Sequence, residues 1–243
     1  MKKLLALLLI LLSLLNLAAC GESTPADTEV PEAGSEMPTV LNQDEYVLYQ
    51  NIFFKDRADE YLGKSRSVEG TLARLYDAFS QKTRYYVWGY MDATKCCDWQ
   101  WEFVPQDPDS LPANGSLVKM TGVVTRDDAA LDKIWFTDAR VELQQAYEPE
   151  PCDVDMTVMS ATLERVQLLN MQYKPEAFAG KSLRIYGRVY GLDAIQHPYY
   201  DNAWTQKLEA KEELPAIGTM VIVAGSWQGD KIRAERTEPT NAY

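Results

Sequence analysis

The chain has 243 residues, 24 Lys and Arg against 36 Asp and Glu, a formal net charge of −12 and one histidine. An acidic balance of this size offers no basic face to phosphate, which argues against nucleic acid as a partner. The length left after the N-terminal segment suits two small domains.

The N-terminus reads MKKLLALLLILLSLLNLAACGES. Lys2 and Lys3 form a charged region, and a run from Leu4 to Leu15, apolar except for Ser13, follows it. Leu17-Ala18-Ala19-Cys20 then has the small-residue shape of a processing site and resembles a bacterial lipobox. Residues 1–19 are therefore expected to be a lipoprotein signal peptide, with a diacylglyceryl group on Cys20. The apolar run is shorter than the roughly 20 residues that a spanning helix needs, so the implied state is anchored to a membrane rather than crossing it. Loss of Lys2 and Lys3 would take the net charge from −12 to −14. Anionic headgroups would repel such a chain, leaving the lipid to hold it. The expected location is extracytoplasmic, on a bacterial cell membrane.

Residues 20–44 are rich in Pro, Ser, Thr and Glu and contain no Lys or Arg. Few large apolar side chains are present to offset the entropy of ordering, so this stretch reads as a lipidated, acidic, disordered tether.

The rest reads as two related units, 45–148 and 151–243. EYVLYQNIFFK (45–55) faces ERVQLLNMQYK (164–174), YLGKSRSVEGTL (61–72) faces FAGKSLRIYGRV (178–189), and GSLVKMTG (115–122) faces GTMVIVAG (218–225). Three matches in the same order point to a duplication. Each unit opens on a segment, 45–62 or 157–179, that is expected to include a short helix. Strands are predicted in the first unit at 66–76, 84–91, 99–104, 117–125 and 134–143 from alternating patterns such as Val68, Gly70, Leu72 against Glu69, Thr71. Gly70 and Gly187 fall inside strands, where glycine marks a bulge or a tight bend. Five short, bent strands and a short helix per unit predict a mainly β protein of two tandem, OB-like small barrels.

Gly70 and Gly115 are 45 positions apart, whereas Gly187 and Gly218 are 31 apart. The missing positions are expected where the first unit carries Cys96 and Cys97, and ligand-specific chemistry is expected in that unit. The stretch is DATKCCDWQWEF (92–103). In the plain reading Trp99, Trp101 and Phe103 fill the barrel core beside a partner strand at 85–91, and the cysteines sit at the hairpin end. As a candidate ligand or thiol site, the same region offers Asp92, Cys96, Cys97, Trp99 and Trp101, with Cys152 from further along the chain. Three readings of the thiols stand: burial of one cysteine with a disulfide from the other to Cys152; a soft-metal site for zinc or copper, drawing on Cys152 and on His197 or Asp92; or a vicinal, redox-sensitive disulfide. Zinc sites usually space their cysteines C-x₂₋₄-C, a spacing absent here.

The residues Asp92, Ala93, Thr94, Cys96, Cys97, Glu102 and Phe103 resemble the D-A-T-x-C-C-x₄-E-F signature of a family of uncharacterised bacterial lipoproteins. More distantly the chain is similar to double-cysteine proteins encoded beside predicted permeases. The resemblance implies OB-type barrels, often duplicated, of unassigned function. Gln100-Trp101 stands where many members have Gln-Gly, and the second unit lacks the signature.

No G-x-S-x-G, H-E-x-x-H or G-x-x-x-x-G-K-[ST] pattern occurs. His197, followed by Pro198, is expected to be a surface loop residue. The acidic runs at 106–109 and 125–128 lack the EF-hand pattern and read as solvated turns. A membrane-anchored binding or accessory module, without catalysis, is the expectation; a metal- or redox-active lipoprotein using Cys96 and Cys97 is the alternative.

Overall fold

A computed structural model describes residues 58–90, 98–126, 134–148, 150–197 and 205–241. The first unit contributes β1 (Ser65–Asp77), β2 (Lys82–Tyr90), β3 (Asp98–Pro105), β4 (Leu117–Arg126) and β5 (Ile134–Gln145). They close into a barrel in the order β1-β2-β3-β5-β4. Only β3 and β5 run parallel; the other pairs are antiparallel. Every predicted strand of this unit is present, with ends within two residues of expectation.

The second unit contributes β6 (Val154–Asp155), α1 (Ala161–Tyr173), β7 (Ser182–Val189), β8 (Ala194–Gln196), β9 (Thr205–Ala210), β10 (Met220–Trp227) and β11 (Lys231–Pro239). The pairing of β7 with β10 closes a ring of β7-β8-β9-β11-β10, and β6 adds to β7 in parallel. Here too the third and fifth strands of the ring, β9 and β11, run parallel. Both rings therefore have the OB-type strand order. The protein is mainly β, as expected, with the predicted helix of the 157–179 segment at α1. Of the 45–62 segment, the described part holds a single 3₁₀ turn, Ala58–Glu60.

The duplication is visible in individual hydrogen bonds. Gly63 N donates to Val124 O at 2.9 Å, as Gly180 N does to Trp227 O at 2.9 Å. Gly115 N donates to Leu72 O and Gly218 N to Val189 O, both at 2.8 Å. Gly115 and Gly218 share φ +92°, a left-handed conformation that favours glycine. In β4 and β10 alternate residues are buried: Val118, Met120 and Val124 match Val221, Val223 and Trp227. Register shifts occur beside Gly122 and Gly225, with a further one between Leu117 and Val118. Gly70 marks a bend instead, where β1 leaves β4 and begins to pair with β2.

One expectation about the duplication is corrected. Along the sequence, Tyr90 of β2 and Asp98 of β3 are no further apart than Gln196 of β8 and Thr205 of β9. Most of the missing length lies in the first hairpin. β1 has 13 residues and β2 has 9, whereas β7 has 8 and β8 has 3. A residue count between two glycines could not separate strand length from loop length.

The extra length of the β1–β2 hairpin reaches the second unit. Ala73, Leu75, Ala78 and Trp88 belong to the same apolar cluster as Leu168, Met171, Phe178 and Ile185. Gln167 of α1 accepts a hydrogen bond from the Tyr76 backbone N–H at 3.2 Å. The Tyr76 and Phe178 rings meet edge to face at 5.7 Å. α1 begins where Ser160 caps it, its hydroxyl accepting from Leu163 N–H at 3.2 Å. Among the described residues, no helix is long and apolar enough to cross a membrane.

Candidate functional site

Cys20, Asp92, Cys96 and Cys97 lie outside the described residues. Trp99 and Trp101 are in the core of the first barrel, 6% and 5% exposed, and Phe103 joins them at 1%. The partner strand is the expected one, with Tyr85, Val87 and Gly89 opposite Phe103, Trp101 and Trp99. Trp99 lies against Gly70 and Gly89: a Cβ on Gly89 would stand 2.6 Å from its ring. Asp98, the residue after Cys97, anchors the second unit. Its carboxylate accepts from Thr162 N–H at 2.9 Å and from Thr162 O–H at 2.8 Å, in the first turn of α1. A negative charge there suits the positive end of the helix.

A cleft of about 300 Å³ opens where the long hairpin meets the start of the second unit. β1 and β2 supply Arg74, Tyr76 and Thr83; the turn before β4 supplies Asn114; the segment before α1 supplies residues 150–155; and α1 supplies Gln167. Cys152 lines this cleft as a free thiol. Burial, with the Asp155 carboxylate nearby, pushes that thiol up to about 11, so it stays protonated at neutral pH and is a poor nucleophile.

The acids of the cleft are already held. Asp155 accepts from Thr157 N–H and O–H through Oδ1 and from Arg184 Nη1 through Oδ2 at 3.0 Å. Asp153 Oδ2 accepts from Ser182 N–H and O–H, both at 2.8 Å. Glu150 is bonded by Arg236. The opposite wall differs. Arg74 donates Nη2 to the backbone carbonyls of Leu111 and Pro112 and pairs with no carboxylate among the described residues. Burial holds its guanidinium below the usual arginine value. Gln167 is fully buried; its Oε1 serves Tyr76, while its Nε2 has no acceptor among the described residues.

His197 is a correction: it is 1% exposed, not a surface residue. Its Nε2 lies 3.0 Å from Oε2 of Glu164, itself 1% exposed. Burial raises the Glu164 carboxyl above the usual range, and His197 only partly offsets this. The following proline hid this: it marked a loop, while burial came from α1, far away in sequence. Asp107 behaves as expected, as an exposed cap on the 3₁₀ turn Pro108–Ser110; Asp127 and Asp128 lie outside the described residues.

The core tryptophans were thus legible in the sequence, whereas Cys152 was expected only as a partner of Cys96 or Cys97 and the cleft it lines was not expected. Arg74, Asn114 and Gln167 had no motif. Gln167 did carry a signal, as a polar residue between Val166 and Leu168 on a predicted helix. No group of three or more metal-capable side chains occurs among the described residues. In comparisons with known proteins, no family model and no curated protein matches the chain.

Proposed function

We propose that the chain is an extracytoplasmic lipoprotein, anchored through a diacylglyceryl group on Cys20, whose tandem barrels form a binding or accessory module. The L-A-A-C site and the acidic tether at 20–44 support the anchor. The observation that carries the binding reading is the cleft between hairpin and helix, lined by Arg74, Thr83, Asn114 and Cys152. Among the described residues, His197 is engaged with Glu164 and Asp155 with Arg184. Such pairing suits a rigid scaffold that holds a ligand better than one that transforms it.

Two measurements test this. Membrane fractionation of the full chain should place it with the membrane and release the Cys20→Ser variant. A thermal-shift screen of small molecules on the Cys20→Ser full chain should give stabilising compounds whose effect is lost on Cys152→Trp, which fills the cleft. Compounds that stabilise Cys152→Trp equally would place binding elsewhere. Stoichiometric zinc or copper lost on replacing Cys96 and Cys97 would instead favour a metal- or redox-active lipoprotein.

A further inference from the structure

We infer that the open end of the second barrel, at Tyr190, Leu192 and Ile217, docks the first unit of a second copy of this chain, head to tail. This surface shares no residue with the cleft. The two barrels have the same turn at this end. Gly115 N donates to Leu72 O at 2.8 Å and Leu72 N to Ser116 O at 2.9 Å; Gly218, Val189 and Thr219 repeat both bonds at the same lengths. Ser116 N also donates to Ala113 O, as Thr219 N does to Ala216 O.

What covers the two turns differs. In the first barrel the residues that lead into α1 sit on it. A Cβ on Gly115 would stand 2.6 Å from the Tyr147 ring and 2.8 Å from a Val158 methyl. Ser116 is buried, its hydroxyl accepts from Tyr147 N–H at 3.1 Å, and the Trp88 indole donates to Val158 O at 3.0 Å. In the second barrel a Cβ on Gly218 would meet nothing within 4 Å. Tyr190, Leu192 and Ile217 are 55%, 91% and 69% exposed. Carried two steps past Arg188 and Met220, the antiparallel register of β7 and β10 brings Tyr190 beside Gly218 and so next to Ile217. Leu192 is in the turn that Tyr190 N–H closes on Ala194 O. One exposed apolar side chain is ordinary; three together, where the sister barrel is covered, mark an interface.

The occupant follows from what covers the first barrel, which is the opening of a unit of the same kind. In the sequence the opening of the first unit matches it, EYVLYQNIFFK (45–55) against ERVQLLNMQYK (164–174). A second copy therefore carries a matching piece. The opening of its second unit is already taken by its own first barrel, through Trp88 and Ser116, which leaves its first unit. Such a contact is heterologous: each copy uses one surface and offers another, so assemblies grow past two. Like charge on the copies opposes the contact, and salt screens that repulsion.

The test uses the chain from residue 20 on with Cys20→Ser, which keeps every described residue, under reducing conditions. Light scattering from about 1 μM to about 1 mM, a range that brackets weak contacts, should show a mass that rises past the dimer, and more so in high salt. Leu192→Asp combined with Ile217→Asp, both at exposed positions, should weaken association about tenfold or more, the factor that burying one leucine supplies. Excess unlabelled double variant, added to the dilute ¹⁵N-labelled unsubstituted chain, should shift the amides of 190–193 and 216–219, because the first unit of the variant is intact. A chain that is monomeric at every concentration would overturn the inference. So would association that the two substitutions leave unchanged, which places the contact elsewhere. Growth that stops at a dimer, or a double variant that leaves those amides unmoved, would also overturn it, since the patch would then meet its own copy.

Discussion

The first hairpins of the two barrels occupy the same place in their rings but differ in length and in what they touch. β7 and β8 are just long enough to close their barrel, and Ile195 fills the space above Gly187. β1 and β2 run on past closure. Their extension places Leu75 and Ala78 in the shared apolar cluster and leaves Arg74, Tyr76 and Thr83 along a cleft. The greater strand length of the first hairpin supplies both the joint between barrels and the surface beside it. A hairpin can lengthen this way without disturbing the ring, because every second added residue pair exchanges its own two hydrogen bonds.

The sharpest way to break this comparison is to cut the joint. Phe178 is fully buried against Tyr76. Phe178→Ala should cost about 3–5 kcal/mol in urea unfolding, and both barrels should unfold at the same lowered midpoint. Separate transitions would mean that the hairpin merely touches the second unit. A slightly smaller effect is expected at the bulge glycines. A Cβ on Gly225 would lie 2.2 Å from the Arg233 carbonyl oxygen, against 2.9 Å from the Thr137 oxygen for Gly122. Gly225→Ala should therefore cost about 3 kcal/mol and Gly122→Ala roughly half as much. Equal losses would mean that the two bulges are not the same device at different tightness.

Asp98→Ala removes both bonds to Thr162 and should cost about 1–2 kcal/mol, with faster amide exchange confined to the first turn of α1. The smallest effects separate the regions by pH. Burial works against the Asp77 charge in the long hairpin, but hydrogen bonds from Ser80 and Arg84 outweigh it and hold the carboxyl at about 2. Its stabilisation is present above the ordinary aspartate value and is lost as pH falls toward about 2. Glu164 has the opposite sign. Its folded value lies above the ordinary one, so stability is greatest below the usual glutamate range and falls as pH rises through the raised value. Asp77→Asn should remove part of the acid-limb loss, and Glu164→Gln should flatten the decline on the other side. Urea midpoints across that pH range check both.

Much of this fold was legible in the residues. The strand predicted at 117–125 is β4, and the matches of GKS and of GSLVKMTG with GTMVIVAG pointed to a second unit of the same kind, because these signals are local. The aromatic face of Trp99, Trp101 and Phe103 gave the core for the same reason. The cleft was not legible. Arg74, Asn114 and Cys152 are far apart in the chain, and only packing brings them to one cleft. His197 was misread because a proline signals local backbone, whereas its burial and its bond to Glu164 come from packing across the fold. Cys96 and Cys97 drew attention by rarity, and their bonding lies outside the described residues.

The claim that the cleft is the working surface is tested most directly by mapping a mixed set of small fragments onto the ¹⁵N spectrum of the full Cys20→Ser chain. The account predicts that shifts concentrate on Arg74, Thr83, Asn114, Cys152 and Gln167. Shifts gathered on the outer strand faces of either barrel, with these five unmoved, would contradict it.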